Sequence, residues 1–302
     1  MLLARLSVRS VERVSPSFAR IGLGGPQLAE FGVDGPLYDQ RIKLVFPGPS
    51  GLPALSAETW WEEFTALPEE TRGSVRTYTI AGVLGAGADA SILVDFVLHP
   101  GAHGPGSDWA LGARVGDELL CVLPHRDCPT GGIEFEPGEA DRLLLVGDET
   151  ALPAIRQILR ELPGQDGRRT GAVFVEVPCA EDIRDLPATE GVEITWLPRG
   201  ERAIGEPMLE AVAAHLGFAP AAPVAEAAAV SGDGMPWETP TYSASGENTA
   251  ADLPVVDGRY AWIAGEAGMV TALRRYLVGE LGMPRRQVAF MGYWRQGVAM
   301  RA

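Results

Sequence analysis

The chain has 302 residues, of which 46% are hydrophobic and 22% are charged, and its formal net charge is −15. These are ordinary values for a globular protein, and the length is sufficient for two domains with a core each. The negative charge argues against nucleic-acid binding, which needs basic surface. No apolar run approaches the ~20 residues that span a bilayer, and the N-terminus lacks the pattern of a secretory signal peptide. We therefore expect a cytoplasmic protein with neither nucleic-acid nor membrane partners.

The cysteines and histidines show no spacing typical of a disulfide framework or of a zinc site. Reduced thiols are expected, and so is the absence of a metal ion held by the protein's own ligands. The residues concerned are Cys121, Cys128, Cys179, His99, His103, His125 and His215.

The first 136 residues alternate polar and apolar side chains as half-buried strands do. Only residues 108–114 read as a helix. Several short strands separated by turn signals predict a closed antiparallel barrel, because closure leaves no exposed sheet edge. The predicted strands are six in number and cover 5–14, 18–23, 42–46, 74–80, 91–98 and 118–123.

Strands and helices alternate after residue 136, which predicts a doubly wound parallel sheet. We therefore divide the chain into domains over 1–136 and 137–302. Residues 219–256 are rich in Ala, Pro, Ser, Thr and Gly and predict an extended insertion loop. Strands are predicted over 143–146, 171–177, 192–196 and 260–264, and helices over 151–162, 207–216 and 269–281.

Two turns in the second domain are typical of ligand sites. Gly147 to Thr150 follow the apolar run 143–146, and Gly265 to Gly268 follow the strand 260–264. Open α/β sheets bind ligands at the carboxyl ends of their strands, where the first N–H groups of the next helix are unpaired. Neither turn is a G-x-G-x-x-G fingerprint, so an ordinary dehydrogenase is not indicated.

Three further segments accompany the turn at Gly147. They are Arg-Thr-Tyr-Thr at 76–79, Asp-Phe-Val-Leu-His at 95–99 with the Gly-rich stretch 104–110, and Gly-Tyr-Trp-Arg-Gln-Gly at 292–297. In this order, the four segments resemble the siderophore-interacting protein family, whose members are flavin-dependent ferric-siderophore reductases related to the ferredoxin reductases. The resemblance covers nearly the whole chain.

The resemblance implies a β-barrel that binds FAD, followed by an α/β domain that binds NADH or NADPH. It implies that NAD(P)H, or a ferredoxin, reduces the FAD, which then reduces siderophore-bound Fe(III) to Fe(II). No catalytic acid or nucleophile is required, because the flavin carries the redox chemistry. Two alternatives keep the fold: a general flavin or ferredoxin-linked reductase, and a flavin-free protein that only binds siderophores.

The family's flavin motif places roles on particular residues here. Tyr78 would stack on the isoalloxazine ring, Thr79 would hydrogen-bond near its N5 atom, and Arg76 would pair with the pyrophosphate. Ser107 would stabilise a phosphate at a helix start, and His99 would hold the ribityl or phosphate region. Ala81 stands where the family often has a second arginine. The full set of FAD contacts is Arg76, Thr77, Tyr78, Thr79, Asp95, Phe96, Val97, His99, Gly106, Ser107, Trp109, Ala110, Thr150 and Trp294.

For the nicotinamide nucleotide, the resemblance implies a cradle formed by the two glycine turns. Acids after the second strand favour NADH and Arg199 favours NADPH, so the choice stays open. The expected contacts are Gly147, Asp148, Glu149, Glu176, Arg199, Gly265 and Glu266.

A ferric siderophore that is anionic would be repelled by a protein of charge −15 unless the mouth of its site is basic. Lys43, Arg126 and Arg295 are the candidates for such a mouth. Each of them alone also reads as a solvated surface charge. Lys43 is favoured because it is the single lysine of an arginine-rich chain.

Overall fold

A computed structural model describes residues 1–98, 104–129, 131–162, 169–187, 190–218, 236–239, 242–243 and 258–298. The chain divides into two compact units, Met1–Ile133 (unit 1) and Glu134–Met300 (unit 2). Each unit has its own sheet and its own hydrophobic core. No helix among the described residues is long and apolar enough to cross a membrane.

Unit 1 is an antiparallel sheet of seven strands, curved into a half-barrel. Its spatial order is β4-β3-β7-β1-β2-β6-β5, so the two edge strands β4 and β5 follow one another in sequence. Between them the Ile80 N–H donates to the Gln40 carbonyl, and the Ala81 N–H donates to the Leu93 carbonyl. The chain thus passes from one sheet edge to the other. The strands are β1 Leu2–Ser15, β2 Phe18–Gly24, β3 Arg41–Phe46, β4 Ser74–Thr79, β5 Gly82–Leu84, β6 Ser91–Val97 and β7 Glu118–Leu123.

The seventh strand is β5, which the sequence did not predict because it is only three residues long. The prediction of a single helix in this unit was also wrong. Helix α1, Trp60–Ala66, packs Trp60 and Phe64 against Val45 and Val75 of the sheet. Helix α2, Pro105–Gly112, begins three residues before the predicted start because Pro105 is tolerated at the first helical position.

Unit 2 has five parallel strands in the order β10-β9-β8-β13-β14. The chain builds outward from β8 in one direction and then from β13 in the other, as in a doubly wound sheet. The topological switch point therefore lies between β8 and β13, where such sheets bind ligands. These strands are β8 Arg142–Gly147, β9 Thr170–Val177, β10 Val192–Pro198, β13 Arg259–Glu266 and β14 Val288–Trp294.

Two short strands extend this sheet antiparallel beyond β14. They are β11 Trp237–Thr239 and β12 Tyr242–Ser243. The expectation that 219–256 is loop throughout was therefore wrong for these five residues, and apart from Pro236 the rest of that segment lies outside the described residues.

The described residues of unit 2 form three α-helices: α3 Leu152–Glu161, α4 Glu206–Leu216 and α5 Ala267–Arg274. The first two match the predicted bounds to within one residue. Helix α5 ends earlier than predicted, because residues Arg275–Glu280 widen into a π-helical turn. Each of the three helices follows a parallel strand directly, so all three begin at the carboxyl edge of the sheet.

Candidate functional site

Four aromatic rings of unit 1 pack against one another. The Tyr78 ring centroid is 4.6 Å from that of Phe96 and 6.3 Å from that of Phe46. Trp109 of α2 lies 5.5 Å from Phe46 and 5.7 Å from Phe96. Phe96 is fully buried, whereas Tyr78 is half-buried. Tyr78 can therefore present a ring face to a ligand, and the Phe96 ring supports it from the core instead of offering a face of its own.

The start of helix α2 lies against the same tyrosine. A Cβ atom at Gly106 would overlap the Tyr78 hydroxyl, so this position needs a glycine. The Ser107 hydroxyl is buried and has no hydrogen-bond partner among the described residues. No side chain caps the helix at Gly104. An uncapped helix start with a buried, unpartnered hydroxyl fits an anionic group such as the FAD pyrophosphate.

The remaining residues of the flavin motif lie on β4 and its neighbour β3. Thr79 is buried. Arg76 Nη1 donates to the Val75 carbonyl at 2.7 Å, and burial lowers the pKa of Arg76. The Thr77 hydroxyl accepts from Lys43 Nζ at 2.6 Å. The roles of Arg76 and Thr77 toward FAD stay predictions.

Asp95 has a partner that the sequence did not predict. Arg20 lies opposite it in the β2–β6 register, and Nε and Nη2 of Arg20 donate to the two carboxylate oxygens at 2.6 and 2.8 Å. The Asp95 carboxylate therefore links two adjacent strands, and the contact of Asp95 with FAD stays a prediction. Val97 ends the same strand and Ala110 is buried on α2. His99 lies outside the described residues.

In unit 2, the Asp148 carboxylate joins three segments that are far apart in sequence. Its Oδ1 accepts from the Thr150 amide at 2.9 Å and from the Thr150 hydroxyl at 2.6 Å. Its Oδ2 accepts from the Glu266 amide at 2.7 Å and from the Trp294 indole N–H at 2.8 Å. Burial, and then the charge of Glu149, raise the pKa of Asp148 to about 6. The two glycine turns and the C-terminal motif thus meet at one carboxylate.

Glu149, Glu176 and Arg199 form a second buried network beside it. The Arg199 guanidinium donates to both Glu149 oxygens at 3.1 and 3.2 Å and to Glu176 Oε1 at 2.8 Å. Glu176 Oε1 also accepts from the Gly205 amide at 2.9 Å. Arg199 directs these donors at two glutamates, and the choice between NADH and NADPH stays open.

The two turn glycines are required by the chain's own packing. A Cβ at Gly147 would lie 2.5 Å from the Ala151 Cβ and 2.9 Å from Ile155 Cδ1. Gly265 has a φ of 140°, and a Cβ there would lie 2.6 Å from the Asp148 carboxylate. Packing within the chain thus explains both glycines, and their contact with a nucleotide stays a prediction.

The three cations expected to contact substrate are divided between the units. Lys43 and Arg126 lie in unit 1 and Arg295 in unit 2. Lys43 donates to Thr77, and loss of solvation, followed by the charge of Arg41, lowers its pKa. Arg126 is 55% exposed and its Nη1 donates to the Ala29 carbonyl at 3.0 Å. A joint basic mouth of these residues stays a prediction.

One cluster of potential metal ligands was not expected from the sequence. Ligand atoms of Glu30, His125 and Asp127 all lie within 4.8 Å of one another. The Glu30 carboxylate also lies 3.7 Å from Arg126 Nε. The cluster is largely exposed, and its position beside an arginine is that of a surface ion-pair network.

An antiparallel half-barrel followed by a doubly wound parallel sheet defines the ferredoxin-reductase-like class, as the sequence predicted. Family models resolve the class further. A model described as a siderophore-interacting FAD-binding domain matches residues 7–128, and one described as siderophore-interacting protein matches residues 140–297. The chain belongs to the siderophore-interacting protein family.

Individual relatives match this chain over most of their own length. The ferric vibriobactin reductase of Vibrio cholerae is 28% identical over 289 residues, which are 94% of this chain and 86% of the relative. The NADPH-dependent ferric-chelate reductase of Escherichia coli is 33% identical over 205 residues, 66% of this chain and 72% of the relative. The solved structure of a siderophore utilization protein from T. fusca has a TM-score of 0.68 at 27% identity, covering 100% of this chain and 95% of that one.

Proposed function

We propose that this chain is an FAD-dependent reductase that converts siderophore-bound Fe(III) to Fe(II) and so releases the iron in the cytoplasm. The observation that carries the proposal is the helix start beside Tyr78, with its buried, unpartnered Ser107 hydroxyl. The match of this unit to the family's FAD-binding domain and the ferric reductase activities named for two relatives support it.

When bound, FAD supplies the conversion between a two-electron hydride donor and one-electron acceptors. The overall balance is one dihydronicotinamide and two Fe(III) giving one oxidised nicotinamide, two Fe(II) and one proton. Siderophores hold the hard Fe(III) ion through oxygen ligands far better than Fe(II), so reduction releases the metal.

The protein's own residues bind and orient the partners of this reaction. Tyr78 supports the flavin ring, and Ser107 with the start of α2 holds the pyrophosphate. Lys43, Arg126 and Arg295 attract an anionic ferric siderophore. In unit 2, Trp294 donates its indole N–H to Asp148 at 2.8 Å, and we expect its ring to contact FAD.

The test has two stages. The purified protein should carry the visible absorbance of a flavin after dialysis, since a flavin-free siderophore-binding protein would be colourless. Under anaerobic conditions, NADH, NADPH and a reduced ferredoxin are then offered separately as donors, and Fe(II) is trapped by a coloured chelator. Reduction of several ferric siderophores supports the proposal. Reduction of free flavin or ferredoxin without any ferric-siderophore reduction would instead identify a general reductase.

A further inference from the structure

The three helix starts of unit 2 lie at the carboxyl ends of parallel strands. Dinucleotide folds bind phosphates at such positions, because the first amides of the helix point outward and carry partial positive charge. In this chain, at least two amides at or just before each of these helix starts donate to acidic side chains or to carbonyls of the chain itself.

At the start of α3, Asp148 accepts hydrogen bonds from three consecutive amides. The Thr150 amide donates to the Asp148 carboxylate at 2.9 Å. The Ala151 and Leu152 amides donate to the Asp148 carbonyl at 3.0 and 3.2 Å. Pro153, the next residue, has no N–H group. A phosphate at this helix start would have to displace bonds within the turn.

At α4, a carboxylate of the chain again accepts from an amide that could otherwise donate to a phosphate. The Gly205 amide donates to the buried Glu176 carboxylate at 2.9 Å, and the Glu206 amide donates to the Ala203 carbonyl at 3.1 Å. Pro207 again removes the following donor.

At α5, Glu266 caps the helix with its own side chain. Its Oε2 accepts from the Gly268 amide at 2.6 Å and from the Met269 amide at 3.0 Å. Its Oε1 accepts from the Gln296 amide at 3.2 Å. Gly268 ends one of the two turns that the sequence predicted as the nucleotide cradle.

Charge strengthens the conflict with a phosphate at this edge of the sheet. Asp148, Glu149, Glu176 and Glu266 are all buried there, and Arg199 is the only buried cation among the described residues. Carboxylates at this edge repel a pyrophosphate, whereas the dihydronicotinamide ring that donates the hydride is neutral and is not repelled.

We infer that the donor site of unit 2 does not hold the phosphates of its electron donor at the helix starts, and that it recognises a dihydronicotinamide by its ring end. This inference rests on the proposed function. A phosphate-free dihydronicotinamide is then a competent donor, and the phosphates of NADH and NADPH contribute little to binding.

The first experiment compares NADH with 1-benzyl-1,4-dihydronicotinamide as anaerobic reductants of the bound flavin. Each rate constant is divided by that of the same donor with free FAD, which corrects for intrinsic reactivity. The expected advantage of NADH after this correction is less than tenfold. An advantage of tenfold or more overturns the inference.

The second experiment measures binding without turnover, using ADP-ribose, which carries the phosphates but no nicotinamide. The wild type should bind it at least tenfold more weakly than the Glu266→Ala variant, in which the Gly268 and Met269 amides are freed. The Glu266→Gln variant keeps a side-chain oxygen that can accept from the two amides, so the helix start should stay folded in it. Its ADP-ribose affinity should rise less than that of the alanine variant. The matched control is Glu280→Ala, which removes an exposed carboxylate from the same unit. It should bind ADP-ribose like the wild type.

Equal ADP-ribose affinity in wild type and both Glu266 variants would overturn the inference. Failure of the proposed function is recognised separately. In that case chemically pre-reduced protein transfers no electrons to any ferric siderophore, whatever the donor preference.

Discussion

At the scale of single residues, the candidate sites depend on a few side chains whose partners lie far away in sequence. Tyr78 lies over Gly106 in unit 1, and Asp148 accepts from Trp294 in unit 2. The sequence predicted each of these residues as a site residue. It could not predict the pairs, because a hydrogen bond across 146 positions leaves no local pattern. Arg20 was not predicted as a site residue for the same reason, since its partner Asp95 faces it only in the strand register.

Tyr78 provides the most direct test of the flavin site. We expect Tyr78→Ala to weaken FAD retention about fivefold, because an aromatic stack contributes on the order of 1 kcal/mol beyond area burial. Tyr78→Phe keeps the ring and should retain FAD nearly as well as the wild type. The measurement is the flavin absorbance that remains bound after dialysis against buffer. Equal retention by the alanine variant would remove Tyr78 from the flavin contacts.

Asp148 predicts a pH dependence of stability. Its pKa in the folded protein is about 6, above the usual value of 3.8, so the folded state binds the proton more tightly than the unfolded state. The stabilisation is therefore complete below pH ~4 and is lost as the pH rises through 6. By linkage, the loss can reach roughly 3 kcal/mol. The Asp148→Asn variant lacks this titration but keeps the shape of the side chain.

Urea unfolding of both proteins between pH 4 and 7.5 measures this effect. The free energy of unfolding of the wild type should fall relative to that of Asp148→Asn as the pH rises. Parallel curves would mean that the four donors around Asp148 keep it ionised throughout. Tryptophan fluorescence, with Trp294→Phe as the reference, should follow the same titration if the indole bond depends on the charge.

At the scale of elements, the sequence predicted the strand–helix alternation of unit 2 and the β character of unit 1. Apolar runs such as 143–146 are long enough to identify strands buried on both faces. Short elements escaped it: β5 has three residues and α1 has seven, so neither completes a clear periodic pattern. The turns were found for the right reason, since glycine does mark them. Their glycines, however, are required by packing within the chain.

The turn at Gly147 tests that packing. We expect Gly147→Ala to destabilise unit 2 by roughly 1–3 kcal/mol, because its Cβ would meet the Ala151 Cβ at 2.5 Å. Removing that methyl group in the double variant Gly147→Ala with Ala151→Gly should restore part of the loss. Thermal unfolding of the two single variants and the double variant measures the coupling. Strictly additive effects would contradict the packing explanation and return Gly147 to the role of a nucleotide contact.

At the scale of the whole molecule, net charge and local charge act in opposite directions. A protein of charge −15 repels anionic ligands at long range, and salt screens this repulsion over about 10 Å at 0.1 M. Unit 2 buries further carboxylates at the edge of its sheet. An anionic ferric siderophore therefore needs a local basic surface, and Lys43, Arg126 and Arg295 are the residues that the sequence offers for it.

We predict that neutralising all three cations, as Lys43→Met, Arg126→Gln and Arg295→Gln, lowers the rate constant for reduction of an anionic ferric siderophore. Each desolvated contact should contribute about 1 kcal/mol, and each exposed one less. Arg126, which is 55% exposed, should contribute least of the three if it acts only through its charge. Added salt should slow the wild type more than the triple variant, because screening acts only on charges that are present.

Reduction of a small neutral acceptor is the control and should hardly change, since FAD and its donor are untouched. Equal losses on anionic and neutral acceptors would show that these residues support the flavin. No loss on either would leave them as solvated charges, with the siderophore bound elsewhere.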